Sequence, residues 1–145
     1  MNEKIEDIEE ELTKDIKENI KQFKDVKPLE GDLDIEDFRK LVVRFPTCFF
    51  VMSDDKYTDV SGENNRKFRR DITWDFYIGV KNLRGIKYRK TQAAYLLRAL
   101  RILLVSDKWE FIPDSSPLVL NLEGGSVYLF KFSQIIYWSR DFQES

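Results

Sequence analysis

The segment from residue 67 to residue 82 constrains the fold most, because apolar and polar residues alternate over most of its length. Alternation with a period of two predicts a long β-strand that buries one face and exposes the other to water. The buried face is expected to contain Phe68, Ile72, Trp74, Phe76, Ile78 and Val80. The wet face is expected to contain Arg69, Asp71, Thr73, Asp75, Tyr77 and Lys81.

Two segments have the apolar spacing of amphipathic helices. In residues 3–24 the apolar positions recur every three or four residues, at Ile5, Ile8, Leu12, Ile16, Ile20 and Phe23. Residues 91–105 carry a wider stripe, with Thr91 as the expected N-cap: Ala93, Leu96, Leu97, Leu100, Leu103 and Leu104. A helix break is expected at residues 27–31. Asp34 then predicts the N-cap of a short helix that ends before Pro46.

Further extended segments complete the predicted sheet. Thr47–Met52 predicts a first strand, and the polar run 54–65 predicts a loop or hairpin tip. Residues 109–111 predict a short extended piece, followed by a turn at residues 113–117.

A hairpin is predicted around Gly124-Gly125, with strands at Leu118–Leu122 and Ser126–Phe132. The last strand is expected to continue or restart through Ser139, and it is apolar on both faces. One face holds Tyr128, Phe130, Phe132, Ile136 and Trp138, and the other holds Val127, Leu129, Ile135 and Tyr137. Such a strand needs cover on both faces. Another subunit and the N-terminal helix of the same chain are both open as the second cover.

These elements predict one α+β domain over residues 1–145, in which two main helices flank a mostly antiparallel or mixed sheet. Residues 1–26 form the N-terminal amphipathic helix of this scheme, and residues 27–145 form the sheet with its packed helix. Hydrophobic residues make up 42% of the chain, which is enough for a core.

The residues that most enzyme sites require are missing. The chain has no histidine and one cysteine, which excludes histidine-based nucleophilic sites, histidine zinc sites and CxxC pairs. The glycine-rich nucleotide-binding motifs GxGxxG and GxxxxGK(S/T) do not occur. We therefore expect no catalytic residue, no metal site and no cofactor, and we expect Cys48 to be an ordinary buried thiol.

Two sets of acidic residues have a spacing that could supply metal ligands. Asp32, Asp34, Glu36 and Asp37 are spaced like a calcium loop, but Asp37 stands where that loop needs glycine, so helix capping is the favoured interpretation. Asp71 and Asp75, with Lys81, could serve a metal-dependent nuclease. The favoured interpretation is that they lie on the wet face of the strand.

Charge is distributed unevenly. Residues 1–40 carry a balance of −6 and residues 41–145 a balance of +4. Two basic clusters flank the long strand, the first at Arg66, Lys67, Arg69 and Arg70 and the second at Arg84, Lys87, Arg89 and Lys90. They are expected to be solvated strand ends, or else contacts for an acidic partner or DNA phosphates.

No segment has the length and apolarity of a membrane span, and the first residues lack the apolar core of a secretory signal. We therefore expect no membrane partner, and the single cysteine fits a cytosolic setting.

Several stretches together resemble a known family. They are the strand Phe45–Val51, the segment Trp74–Arg84, the helix Leu96–Leu104, and Ser126-Val127-Tyr128 with Phe132. In their order and spacing they resemble a family of small Mu-like prophage tail-associated proteins, which is similar in turn to the lambda-type phage tail terminator proteins. The resemblance covers about residues 1–140, counted by the order of elements.

The resemblance implies a structural protein without catalysis. It would form a homo-oligomeric ring, expected to be a hexamer, that caps the tail tube and joins it to the head. The implied partners are other copies of the chain, the tail tube protein and a head-completion or connector protein. The implied location is the host cytoplasm during assembly and then the virion tail. The alternative is a head–tail connector, or neck, protein that contacts DNA.

Partner-binding residues are expected at the first basic cluster and on the two-faced strand. They are Arg66, Lys67, Arg69, Arg70, Tyr128, Phe130, Tyr137 and Trp138.

Overall fold

The computed structural model describes residues 5–29, 40, 44–63, 66–81, 86–114 and 118–139. Within them the elements are α1 (Ile5–Asn19), β1 (Asp25–Pro28), β2 (Thr47–Asp59), β3 (Lys67–Lys81), α2 (Ile86–Leu104), β4 (Ile112–Pro113), β5 (Leu118–Leu122) and β6 (Gly125–Ser139). The strands form a mixed sheet in the order β1-β2-β3-β6-β4, and β5 pairs with β6 beside β4. The sheet is not closed, and the predicted α+β class is confirmed.

β3 and β6 form the centre of the sheet and pair antiparallel along their whole length. The register runs from Lys67 opposite Ser139 to Lys81 opposite Gly125. The long alternating strand is thus confirmed, and so is the β5–β6 hairpin. Gly124 in the turn has a φ of 85°, a conformation that glycine adopts without strain.

Both helices lie on one face of this sheet, and the main core is formed between them and it. Phe76 meets Phe132 edge to face at 5.4 Å, and Trp74 stacks on Phe111 at 6.3 Å. The apolar stripe of α1, from Ile8 to Ile16, belongs to the same buried cluster, as do Ile20 and Phe23 directly after the helix. The helices of the same chain therefore cover the β6 face that carries Phe130 and Phe132. α1 lies on this face and not on the opposite one, which carries Val127 and Leu129. The expectation that the N-terminal helix covers the second apolar face of β6 is therefore wrong.

α1 ends earlier than the apolar spacing predicts. The helix stops at Asn19, whose side-chain amide donates to the carbonyl of Asp15 at 2.8 Å. Ile20 and Phe23 stay buried after the helix has ended. The chain then enters β1, which pairs parallel with the start of β2. This short strand begins at Asp25 and occupies part of the predicted helix break.

β2 is longer than predicted, because it runs to Asp59 through the segment that was expected to be a loop. A bulge between Met52 and Asp54 shifts the register, so that Asp55 comes opposite Ile72 on the helix-covered face. There its carboxylate pairs with the buried Arg70, at 2.7–2.8 Å through two nitrogens. One residue of this polar segment, Asp55, thus serves as the ion-pair partner of Arg70 within a strand rather than in a loop.

α2 begins at Ile86, so the N-cap assignment of Thr91 is wrong. Residues 86–90 contain neither glycine nor proline, and nothing in them opposes a helix. The extended piece expected at residues 109–111 is also displaced, since β4 comprises Ile112 and Pro113. The short helix expected after Asp34 lies outside the described residues.

A buried acid joins α1 to the segment after α2. Asp15 accepts a hydrogen bond from the indole nitrogen of Trp109 at 2.9 Å and from the Lys108 ammonium at 2.8 Å. Glu11 is a second, longer partner of Lys108, at 3.4 Å. The bond to Asp15 and the nearby negative charges raise the pKa of Lys108. The contact holds the N-terminal helix against a distant part of the chain.

We expect Asp15→Ala to lower the free energy of unfolding by about 1–3 kcal/mol, because it leaves the buried Trp109 N–H without its acceptor. Glu11→Ala removes only an exposed ion pair and is the matched control, with an expected change below about 0.5 kcal/mol. Urea unfolding of both variants measures the difference. Equal losses would show that the indole bond contributes nothing.

Candidate interaction surface

Within the described residues, the groups most suited to chemistry are not assembled into a reactive site. Cys48 is fully buried, as predicted, and burial raises the pKa of its thiol far above the ordinary range. Such a thiol stays protonated and is a poor nucleophile. Across the described parts of the chain, no three acidic or cysteine side chains lie together as a metal-binding group.

Asp71 and Asp75 do not form the paired acids of a nuclease. They lie four positions apart on one strand, which corresponds to about 13 Å. Asp71 pairs with Arg69 at 2.9 Å. Asp75 is buried, contrary to the wet-face expectation, and accepts hydrogen bonds from Lys131 at 2.9 Å and from Ser53 at 3.1 Å. Both carboxylates are thus engaged in ion pairs.

The sheet face opposite the helices carries an apolar groove of about 190 Å³ beside the β5–β6 hairpin. Register explains its composition, because Leu118 and Leu120 pair with Leu129 and Val127 and therefore point to the same side. Leu118 is 67% exposed. We call the six residues that line the groove the hairpin patch: Tyr77, Leu118, Val119, Leu120, Val127 and Leu129.

Phe45 closes one side of this region. Its ring is buried against Val127, with Tyr77 packed beside it. It also lies directly on the backbone of Gly79, where a Cβ atom would overlap the ring. Glycine at position 79 therefore provides the space in which Phe45 packs on the open face.

A polar belt borders the hairpin patch farther along β3 and β6. The buried Asp75 and its partner Lys131 form its centre. Asp114 extends it, since its carboxylate accepts from the Ser133 hydroxyl at 2.6 Å and its N–H donates to the Lys131 carbonyl at 2.9 Å. The open face is thus divided into an apolar part at the hairpin and a polar part beyond it.

The first basic cluster is divided between the two faces. Arg70 lies on the helix-covered face, buried and paired, so its assignment as a partner-binding residue is corrected. Arg69 pairs with Asp71, whose hydrogen bond and charge raise the pKa of Arg69. Arg66 lies over the ring of Phe68 at 5.5 Å, and Lys67 over the ring of Tyr137 at 5.1 Å.

The aromatic residues expected to bind a partner also separate. Phe130 is buried in the core and Tyr128 is partly buried against it, so neither presents an open surface. Tyr137 is 54% exposed. Trp138 lies in β6, but its side chain is outside the described part of the structure. Of the second basic cluster, Lys87, Arg89 and Lys90 lie in α2, and Arg84 is outside the described residues.

Sequence reasoning missed the residues that dominate the open face. Leu118 and Leu120 belong to a short strand whose pattern gives no sign of which side is covered. A second exposed apolar group, on α2, was likewise not predicted as a surface. Tyr95 and Ile102 are exposed on the helix, and Val105 is exposed directly after its last residue, Leu104.

Compared with models of known protein families and with curated proteins, the chain matches none. No helix among the described residues is both long enough and apolar enough to cross a membrane.

We expect Gly79→Ala to lower the free energy of unfolding by about 1–3 kcal/mol, because the new methyl group displaces the Phe45 ring. Gly62→Ala is the matched control, since no atom lies within 4 Å of a Cβ at that position. Thermal or urea unfolding of both variants tests this. Gly79→Ala should lower the free energy of unfolding by less in a Phe45→Ala background than in the unmodified chain. Equal effects of Gly79→Ala in the two backgrounds would contradict the proposed contact.

Proposed function

We propose that this chain is a structural assembly protein of a phage or prophage tail, a terminator or tail-completion protein that forms a ring of six copies. The proposal assigns it no catalysis and no cofactor. The observation that carries it is the hairpin patch, an exposed apolar surface on the sheet face opposite the helices. The family resemblance adds the identity of the particle.

The composition of the hairpin patch suits the centre of a protein–protein interface. Interface cores are depleted of charged residues and enriched in large apolar and aromatic ones. All six lining residues are apolar or aromatic, while the nearby buried carboxylate of Asp75 is already paired with the partly exposed Lys131. An apolar centre bordered by a satisfied polar belt can be covered by a neighbour without leaving a buried charge unpaired.

Ring subunits need a lateral contact with each neighbour and an axial contact with the tube. We assign the hairpin patch to the lateral contact. The charge asymmetry, −6 in residues 1–40 against +4 in the remainder, suits an electrostatic axial contact. The proposed partners are further copies of the chain, the tail tube protein and a head-completion or connector protein. The proposed location is the host cytoplasm and then the virion tail.

The second candidate function is a neck protein that touches DNA, and the observation in its favour is the pair Arg66 and Lys67 at the start of β3. Both cations lie over aromatic rings rather than in the ion pairs described above. Arg69 and Arg70 are engaged with Asp71 and Asp55, which reduces the charge that the cluster offers to phosphates. We therefore place this function second.

We expect Leu118→Glu to abolish assembly of the chain on tail tubes, because it places a carboxylate in the apolar contact. Ile102→Glu is the matched control, since Ile102 is similarly exposed at 63% but lies on α2, away from the open face. Co-sedimentation with tubes of the same phage or prophage, together with negative-stain images of the tube ends, measures the effect. Neither exposed substitution should change stability by more than about 0.5 kcal/mol.

Two results would contradict the proposal. One is that the unmodified chain neither associates with itself at high concentration nor binds tail tubes. The other is that Ile102→Glu blocks assembly while Leu118→Glu does not, which would move the contact to the helices. A monomer in solution alone is compatible with a ring that forms only on the tube.

We expect the chain not to bind duplex DNA at micromolar concentration and low salt. Fluorescence anisotropy with a labelled duplex across a salt series tests this expectation. Binding that weakens steeply with salt, and whose salt dependence falls in the double variant Arg66→Ala, Lys67→Ala, would favour the neck protein instead.

A further inference from the structure

The sheet continues beyond the apolar hairpin as a three-stranded arm. We define the arm as residues 54–59 of β2, 67–73 of β3 and 133–139 of β6, which pair with β3 at the centre. β1 reaches only to Phe50 on one side, and β4 reaches only to Ser133 on the other. Among the described residues, the arm therefore has two edges without a neighbouring strand, one on β2 and one on β6.

The β2 edge carries features that discourage strand addition. A bulge lies between Met52 and Asp54, at the point where the arm begins. Charged side chains follow it along the strand, at Asp54, Asp55, Lys56 and Asp59. Bulges and charged residues are the usual protection of an exposed edge against pairing with another strand.

The β6 edge has neither protection. The register between β3 and β6 is continuous, and the run from Ser133 to Ser139 contains no acidic or basic residue. The N–H of Asp114 donates to the carbonyl of Lys131, so the N–H and C=O groups of residue 131 point away from β3. Because this direction alternates along an antiparallel strand, the backbone groups of Ile135, Tyr137 and Ser139 point outward as well.

We propose that the β6 edge pairs antiparallel with the β6 edge of a second copy of this chain, across a two-fold axis near Ile136. This register places Ile135 of each copy opposite Tyr137 of the other. Aromatic residues opposite β-branched ones are favourable cross-strand pairs. Ile136 of one copy lies opposite Ile136 of the other on the helix-covered side. The two sheets then form one continuous sheet.

The sequence of the edge selects a second copy as the occupant. The stretch is self-complementary about Ile136, so two identical strands bring no like charges together along the contact. The protected β2 edge is a poor partner for it, which disfavours a head-to-tail chain. The contact involves about six residues of each copy, a small area for a stable complex, so we expect association only at high protein concentration.

This contact goes beyond the proposed function and does not depend on it. A two-fold contact joins copies in pairs and does not close a ring. It also uses different residues from the hairpin patch. Loss of edge pairing and loss of tube binding can therefore be observed separately.

Tyr137→Pro tests the inference, because proline removes an outward N–H while leaving the groups that bond β3 in place. Tyr57→Pro is the matched control: by the same alternation its N–H points outward on the β2 edge, and the exposure of the two tyrosines is 53% and 54%. Each tyrosine ring also contacts one basic side chain, since Arg70 lies over Tyr57 and Lys67 lies over Tyr137. Circular dichroism and thermal unfolding show whether each variant is folded.

Sedimentation velocity over a range of concentrations is expected to show a dimer for the unmodified chain and for Tyr57→Pro. Tyr137→Pro should weaken this dimer at least tenfold. Amide exchange gives a second measurement that needs no variant: the N–H groups of Ile135 and Tyr137 should become protected as the concentration rises, and the N–H of Tyr57 should not.

Three outcomes would overturn the inference. The unmodified chain could remain a monomer at millimolar concentration with no change in amide protection. Both proline variants could weaken association equally, which would indicate head-to-tail pairing of β6 with β2. Leu118→Glu could abolish the dimer while Tyr137→Pro leaves it intact, which would assign the dimer to the hairpin patch.

Discussion

The pairing of β3 with β6 is the contact on which the other elements of the fold depend. It extends from Lys67 to Lys81 without a shift in register, so one face of both strands presents a single apolar surface. That surface is what α1 and α2 cover, and the aromatic rings of Trp74, Phe76 and Phe132 fill the space between. A slip of β6 by one residue would turn its buried rings, Phe130 and Phe132, to the open face.

The continuous register also places some polar side chains on the covered face, where they need partners. Arg70 occupies a position on the covered face, and a buried guanidinium without a partner would be strongly destabilising. The bulge in β2 brings Asp55 to it. The buried side chain of Gln134 also has a partner, because its oxygen accepts a hydrogen bond from the Trp74 indole at 3.1 Å. Both of these polar side chains are therefore paired across neighbouring strands.

The same facts explain which features the sequence predicts well. Alternation in β3, the α1 stripe and the Gly124-Gly125 turn are local patterns, and the structure confirms each of them. The extension of β2 depends on a partner at Arg70, which a local reading of residues 54–59 does not reveal. The assignment of Phe130 to a partner surface failed for a related reason, since a two-faced strand does not show which face the helices of its own chain cover.

The hairpin patch and the β6 edge differ in what they offer to another chain. The hairpin patch offers side chains, and its strands are already paired with each other, so its contribution to binding is the burial of apolar area. The β6 edge offers backbone N–H and C=O groups, whose pairing is directional and fixes the register of the partner. A chain that carries both can bind one neighbour by packing and another by strand pairing. Antiparallel pairing of two identical edges would fix a two-fold arrangement, and the geometry of any larger assembly would then depend on where the hairpin patch finds its partner.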